Sequence, residues 1–357
     1  MTTFLDSRDS LVVQHAAQRL RDWQQGQQNL KVALVYGGVS AEDQLYIAKS
    51  PTEQLSITAL TGALTEIGVR FGVLNPCDPT FVQDLTAYDV VLSNLHGPYG
   101  EDGRLQGLLD YLRKPYCGSG VAASAVAADK ILCKRLMLGL GVPTPGWQVW
   151  NGSGVTWSGR PVMVKPPLGG SSVGMSLIKD EADLLVALAR AAAVSESSVL
   201  VEEYVSGLPV TVGLLELPGG EVLAFPPLAT EVREAEFYDA DAKLDGAVSV
   251  TVADLAPDVL ATLADQAKTL WDGLGCSGSA RVDFMVTPDG QPYALEVNTT
   301  PGMSRDSNFV TGAALCGFVH SDVVLAMLHE AVVRPTYDVP LPSPIFTGVP
   351  APREPAA

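Results

Sequence analysis

The sequence is short of positive charge: 23 Lys and Arg stand against 40 Asp and Glu over 357 residues, a formal net charge of −17, with a sequence pI near 4.5. A surface that acidic repels nucleic acid and anionic lipid, so neither is expected as a partner. Cysteine is sparse as well. Cys77, Cys117, Cys133, Cys276 and Cys316 are scattered, with no CxxC or other metal-ligand spacing, which argues against a zinc cage and favours reduced, mostly buried thiols over a disulfide framework. Long hydrophobic runs are missing too. The most apolar stretch, Val121 to Val142, is interrupted by Asp129, Lys130, Lys134 and Arg135 and is too polar to span a bilayer. The opening MTTFLDSRDS has neither the basic nor the apolar region of a secretory signal. These absences set the expectation of a soluble, cytoplasmic protein.

What remains is a globular composition, 47% hydrophobic and 7% aromatic, on a chain long enough for two or three domains. An acidic protein that handles phosphates has to concentrate its few cations. Each Lys or Arg beside a Gly-rich turn therefore carries more weight than usual.

Val12, Ala16, Leu20 and Trp23 recur about one turn apart, which predicts an amphipathic helix over 11–24, ended by the polar QQGQQN and packed on the body or on another subunit. KVALVYGG, VRFGVLNP and YDVVLSNL read as buried strands, and TALTGALTEIG as a helix stopped by Gly68. That order predicts an open α/β sheet with function at its strand ends. A helix is expected around 122–139, and GVPTPGWQVW reads as an exposed connector. The second half reads as α+β. PVMVKPPLGGSSVGMSLI gives two short strands around a Gly/Ser loop, and VLVEEYV, VTVGLLEL, EVLAFPPLA, ARVDFMV and PYALEVN give further strands, with hairpin turns at LPGGE and TPDGQ. From Arg334 onward, 24 residues carry seven prolines and read as an extended tail.

The strongest chemical signal lies in RVDFMV and YALEVN. Side chains alternate along a strand, so Val282, Phe284 and Val286 face one way and Arg281 and Asp283 the other, while Glu296 and Asn298 share a face. A hairpin would bring Asp283, Glu296 and Asn298 together as hard oxygen ligands for Mg²⁺, with Arg281 beside them to hold charge on a transferring phosphoryl group. Taken alone, such a face can be an ordinary solvated hairpin. The loop LGGSSVGM lets backbone N–H groups approach phosphates, and Lys165 precedes it. It is neither a P-loop nor a GxGxxG turn opening a helix. Lys130 and Lys243 are lone lysines, solvated by default. In VLVEEYV, Glu202 and Tyr204 share a face and can meet an adenine amine and ribose. His96 and Glu101 lie on the Gly-rich loop that follows a strand.

In this order, GGVSAE, LHGPYGEDGRLQGLLDYLRKPYCGSGVAASAVAADK, VKPPLGGSSVGM, ARVDFMV and LEVNTTPGMSRDS resemble the D-alanine–D-alanine ligase family of the ATP-grasp superfamily, across most of residues 31–332. The resemblance implies an ATP-grasp fold with an N-terminal helical extension (1–30), an open α/β domain (31–125), a central (126–206) and a C-terminal (207–333) ATP-grasp subdomain, and the Pro-rich tail (334–357). It implies an ATP-dependent carboxylate–amine ligase working through an acyl phosphate, using ATP and two Mg²⁺ sites at which Mn²⁺ can stand in, as a homodimer. Lys130, Lys165, Gly170, Ser172, Val173, Glu202, Tyr204, Val205 and Phe237 match nucleotide-holding positions, and Asp283, Glu296 and Asn298 match the metal ligands. Arg281, Ser171, Lys243 and Glu42 match catalytic positions. Glu42 or Glu53, His96, Glu101, Gly302, Ser307 and Asn308 fall to the two substrates.

The chain departs from the family's pattern at three places. About a dozen extra residues, DQLYIAKSPTEQ, follow GGVSAE. Leu244 stands where a Tyr usually closes the first-substrate site, and Pro209 where a carboxylate often binds ribose. These changes fall on substrate and ribose contacts and keep in play a specialised ligase for a non-alanine substrate or a ring closure; a nucleotide sensor without turnover is a further alternative, against which the complete Asp283, Glu296 and Asn298 set with Arg281 argues.

Overall fold

The computed structural model describes residues 2–6, 10–39, 41–169, 174–195, 198–232 and 248–335. In chain order the elements are β1 (Thr3–Asp6), α1 (Ser10–Gln24), β2 (Lys31–Val35), α2 (Ala41–Lys49), a 3₁₀ turn (Thr52–Gln54), α3 (Ser56–Ile67), β3 (Arg70–Leu74), α4 (Phe81–Asp84), a second 3₁₀ turn (Leu85–Ala87) and β4 (Val90–Ser93). Then come α5 (Arg104–Tyr111), α6 (Val121–Ala128), α7 (Lys130–Gly139), β5 (Trp147–Trp150), β6 (Val162–Lys165), β7 (Ser176–Ile178), α8 (Glu181–Ala193) and β8 (Val199–Glu203). The last group is β9 (Leu208–Leu217), β10 (Glu221–Ala224), β11 (Leu228–Val232), β12 (Val248–Val252), α9 (Pro257–Leu274), β13 (Ser279–Val286), β14 (Pro292–Asn298), α10 (Asn308–Leu315) and α11 (His320–Val333).

Three sheets result. β3, β2 and β4 form a parallel sheet in which β2 is buried along nearly its whole length, as parallel strands covered on both faces must be. β5, β8, β6 and β7 form an antiparallel sheet. The third and largest runs β1-β10-β9-β11-β12, with β13 on the other side of β9 and β14 beyond it. The α/β and α+β halves expected from the sequence are therefore both present. Gly68 ends α3 in the left-handed conformation at φ 84°, the backbone state that glycine supplies most cheaply.

Four readings need correction or extension. The helix expected over 122–139 is two helices, because Asp129 is extended and caps α7, its Oδ1 accepting from the N–H groups of Ile131 and Leu132 at 2.9 and 3.1 Å. The supposed connector contains β5, which pairs with β8 from Trp147↔Glu202 to Trp150↔Val199. EVLAFPPLA is two strands, since the Pro226–Pro227 pair cannot donate to a ladder; β10 and β11 instead pair with successive stretches of β9. The N-terminal extension carries a strand ahead of its helix. β1 pairs in parallel with β10, and α1 packs on the body, where Val13, Ala16, Ala17 and Leu20 join a core that also holds residues of α3, α10 and α11. The Pro-rich tail beyond Pro335 lies outside the described residues.

No single helix among the described residues is long and apolar enough to cross a membrane. The apolar pair Asn308–Leu315 and His320–Val333 is bent by 100°, and α11 is mostly buried in the fold.

Candidate active site

β13 and β14 build the centre of the site. Along β13, Ala280, Val282, Phe284 and Val286 are buried, while Arg281, Asp283 and Met285 stand on the more open face, the alternation the sequence predicts. On β14 strict alternation would put Glu296 on the same face as buried Ala294. A bulge prevents this: Asp283 pairs with Glu296 and Phe284 with Ala294, so Leu295 is the extra residue, and Glu296 and Asn298 together take the more open face, opposite to buried Ala294 and Val297. Arg281 Nε and Nη2 donate to Asp283 Oδ1 and Oδ2, both at 2.8 Å, and Asn298 Nδ2 donates to Asp283 Oδ2 at 2.9 Å. Burial works against the Arg281 charge, but Asp283, with Glu296 and Glu101 behind it, raises the guanidinium pKa on balance.

Lys130 enters this cluster from the first residue of α7. Its Nζ donates to the Gly169 carbonyl at 2.8 Å and lies 3.6 Å from Glu296 Oε2. One lysine thus ties the end of the segment leading into the Gly/Ser loop to an acid of the hairpin.

A second cluster lies on the four-stranded sheet. Lys165, the last residue of β6, donates to Glu202 Oε1 at 2.6 Å. Glu202 is 2% exposed, and its neighbour Glu203 faces solvent, as alternation on β8 requires. The other oxygen of Glu202 is 2.5 Å from Lys134 Nζ, which donates to Thr144 Oγ1 at 2.6 Å. Lys134 escaped the sequence reading as a site residue. The signal available was its position four residues after Lys130, on the same face of one helix. Tyr204 and Val205 follow β8 half-buried.

The loop after β4 holds His96 Nδ1 3.2 Å from Glu101 Oε1, and Glu101 Oε2 accepts from the Gly97 N–H at 3.0 Å. Its charge is felt at Arg281. Ser307 caps α10, its Oγ accepting from the Val310 N–H at 3.3 Å. Asn308 Nδ2 donates to Thr230 Oγ1 at 3.5 Å, and a Cβ on Gly302 would meet Ser307. Glu53 is exposed in the 3₁₀ turn before α3, and no contact among the described residues ties it to either cluster. Glu42 falls on the backbone of α2; Gly170, Ser171, Ser172, Val173, Phe237, Lys243 and Leu244 lie outside the described residues. Pro209 sits in β9 opposite Met285.

The donor set fits Mg²⁺. Among the described residues no three His, Cys, Asp or Glu side chains form a cage of their own. Two carboxylates and an amide are instead the partial set a cation that keeps water and phosphate oxygens requires.

A family model described as D-ala D-ala ligase C-terminus matches residues 148–329, and one described as D-ala D-ala ligase N-terminus matches residues 74–119. The D-alanine–D-alanine ligase of Synechococcus sp. (strain JA-2-3B'a(2-13)) is 36% identical over 318 residues, covering 85% of this chain and 94% of that protein. The enzyme of the same name from Syntrophotalea carbinolica is 35% identical over 312 residues, covering 86% and 98%. Among solved structures, D-alanine–D-alanine ligase from Bacillus anthracis superposes with a TM-score of 0.73 at 29% identity, covering 85% of this chain and 97% of that one. The same enzyme complexed with ATP gives 0.71 at 25% identity over the same shares. Fold and site together define an ATP-dependent ligase of the ATP-grasp class, an enzyme that joins amino acids. Within that class the chain belongs to the D-alanine–D-alanine ligase family.

Proposed function

We propose that the chain joins two D-alanine molecules, or D-alanine and a close analogue, through an acyl phosphate, and that it works as a homodimer in the cytoplasm. The observation that carries the chemistry is the Arg281–Asp283–Asn298 cluster, with Lys130 beside Glu296. A nucleotide sensor has no need of a guanidinium fixed among phosphate-handling acids. Eight similar proteins, all called D-alanine–D-alanine ligase, support the substrate. The three-sheet layout supports a division into an N-terminal unit (31–125), a central unit (126–206) and a C-terminal unit (207–333).

A carboxylate is a poor electrophile because its leaving group would be oxide or hydroxide. A carboxylate oxygen of the first D-alanine attacks the γ-phosphorus of ATP, the bond to the β–γ bridging oxygen breaks, and ADP departs. The amine of the second D-alanine then attacks the acyl carbon, loses a proton, and expels phosphate as the amide forms. Lys130 and Lys165 hold the nucleotide's negative charge, and Glu202, Tyr204 and Val205 hold its base and ribose. Arg281, a cation already positioned by Asp283, meets the negative oxygen that develops on the tetrahedral centre. Lys243 and the 170–175 loop are assigned to the phosphates, Lys243 to the γ-phosphate, and His96, Glu101 and Ser171 to the first substrate, with its amino group on Glu42 or Glu53. Gly302, Ser307 and Asn308 take the second substrate's carboxylate near the start of α10, where free N–H groups favour an anion. Asp283, Glu296 and Asn298 are the residues to hold Mg²⁺ or Mn²⁺, which supplies charge neutralisation on the phosphates.

The test is phosphate release from ATP across a panel of D- and L-amino acids, with mass spectrometry of the products. Robust release with D-alanine and a D-alanyl-D-alanine product is expected. Release only with other acids would replace the substrate, and nucleotide binding without release on any of them would restore the sensor.

A further inference from the structure

Glu202 has two lysines where charge balance asks for one. Lys134 Nζ is 2.5 Å from Glu202 Oε2 and Lys165 Nζ is 2.6 Å from Glu202 Oε1, and both Lys134 and Glu202 are almost fully buried, at 1% and 2%. Enclosing a second ammonium is costly, since burial disfavours the charged form. Burial lowers the Lys134 pKa even with Glu202 pulling it up, and the two ammonium groups hold the Glu202 carboxyl below its ordinary range despite its own burial. A local arrangement this expensive calls for a reason.

The two lysines are not equivalent. Lys134 comes from the inner face of α7 and is also tied to Thr144 Oγ1 at 2.6 Å, so it has nowhere else to go. Lys165 ends β6 where the chain runs on through Pro166 and Pro167 towards Gly169, whose carbonyl receives Lys130, and its side chain is the more open of the two, at 10% against 1%. Only Lys165 can reach a ligand bound along that segment. Turning from Glu202 to such a ligand would take a counter-ion from a buried carboxylate, and a buried carboxylate stripped of its counter-ion is strongly unfavourable.

We propose that Lys134 is a positioning residue that keeps the Glu202 carboxylate paired so that Lys165 can leave it for the phosphates of ATP. This rests on the reading above that Lys165 serves the nucleotide. Lys134 touches no substrate. It acts by making the departure of Lys165 affordable and by holding Glu202 in place while the site fills. The second lysine, excess charge in the empty site, becomes the sole counter-ion once ATP is bound.

The prediction is a coupling between positions 134 and 202 in nucleotide binding. ATP dissociation constants are measured by titration calorimetry, without amino acid, for the full-length wild type, Lys134→Met, Glu202→Gln and the double variant, each first shown to be folded by its thermal transition. Lys134→Met is expected to weaken ATP binding about 10- to 100-fold in the otherwise native chain. Once Glu202→Gln has removed the charge that Lys165 would abandon, the same substitution is expected to change binding less than about threefold. If the Met variant does not fold, Lys134→Gln, which keeps a donor for Thr144 and lacks the charge, is read in its place. Equal losses in both backgrounds, the result of a purely structural lysine, or no loss in either would overturn the inference alone. Failure of the folded wild type to bind ATP would overturn the functional reading and this inference with it.

Discussion

At the scale of single residues, the site is a contest between charge and burial. Arg281 is held bidentate by Asp283, so it is fixed before any substrate arrives. Arg281→Ala should lower kcat by about 10²- to 10³-fold, and Arg281→Lys should recover little, because an ammonium cannot reproduce the planar two-point pairing. Steady-state kinetics check both. Glu296→Ala should cost at least about 100-fold in turnover and raise the Mg²⁺ concentration needed for half-maximal rate, with the thermal transition little changed. Unchanged activity would remove Glu296 from the metal set. A third group lies away from the chemistry. Burial raises the pKa of Glu330 from 4.5 to about 7, against the pull of Arg334. The folded protein therefore binds this proton more tightly than the unfolded chain, so the residue's contribution to stability falls as pH rises from about 4.5 to 7 and is flat above. Glu330→Gln should then raise the melting temperature more at pH 8 than at pH 5. The opposite order would refute the assignment.

At the scale of elements, β9 carries the molecule. One edge pairs with β10 and then β11, while the other holds β13 along its whole length. Gly213 sits opposite Arg281 in that register, and a Cβ there would fall 2.5 Å from the Phe225 ring and 3.1 Å from Phe309. Gly213→Ala should cost about 1–3 kcal/mol of stability and lower kcat by disturbing the strand that sets Arg281, both measurable on one purified variant. The N-terminal β1 covers β10, whose Val222, Leu223 and Ala224 are buried, and Leu20 of α1 is fully enclosed. Leu20→Ala should cost about 2–5 kcal/mol, and deleting residues 1–24 should reduce soluble yield by baring a strand edge. A fully stable truncated enzyme would show the extension to be dispensable.

The elements also mark where sequence reading reached its limit. Arg281, Asp283, Glu296 and Asn298 were legible because alternation on a hairpin is a local rule. The bulge at Leu295 that sets Glu296 and Asn298 on the face opposite Ala294 was not, since it depends on pairing with β13 and leaves no composition mark. Four-residue β1 was hidden because a strand that short is defined by its partner. Lys134 looked like one more polar interruption in an apolar helix. Its meaning comes from Glu202, 68 positions away in sequence and on a strand of the four-stranded sheet. Asp129 before an apolar run was a readable helix start, and the two prolines after Phe225 a readable break.

At the scale of the whole molecule, a protein of net charge −17 has gathered Lys130, Lys134, Lys165 and Arg281 around three acids, a local concentration of cations that the proposed phosphate chemistry needs inside an otherwise repelling surface. The central claim is that this site moves a phosphoryl group to a carboxylate before the amide forms. It is tested most directly by supplying D-alanine with both carboxylate oxygens labelled with ¹⁸O, together with ATP and Mg²⁺, and measuring the mass of the phosphate released. One labelled oxygen in each phosphate is the predicted result, because the oxygen that attacks phosphorus leaves with it. Unlabelled phosphate accompanying dipeptide would mean that the carboxylate is activated in another way and would contradict the acyl-phosphate mechanism.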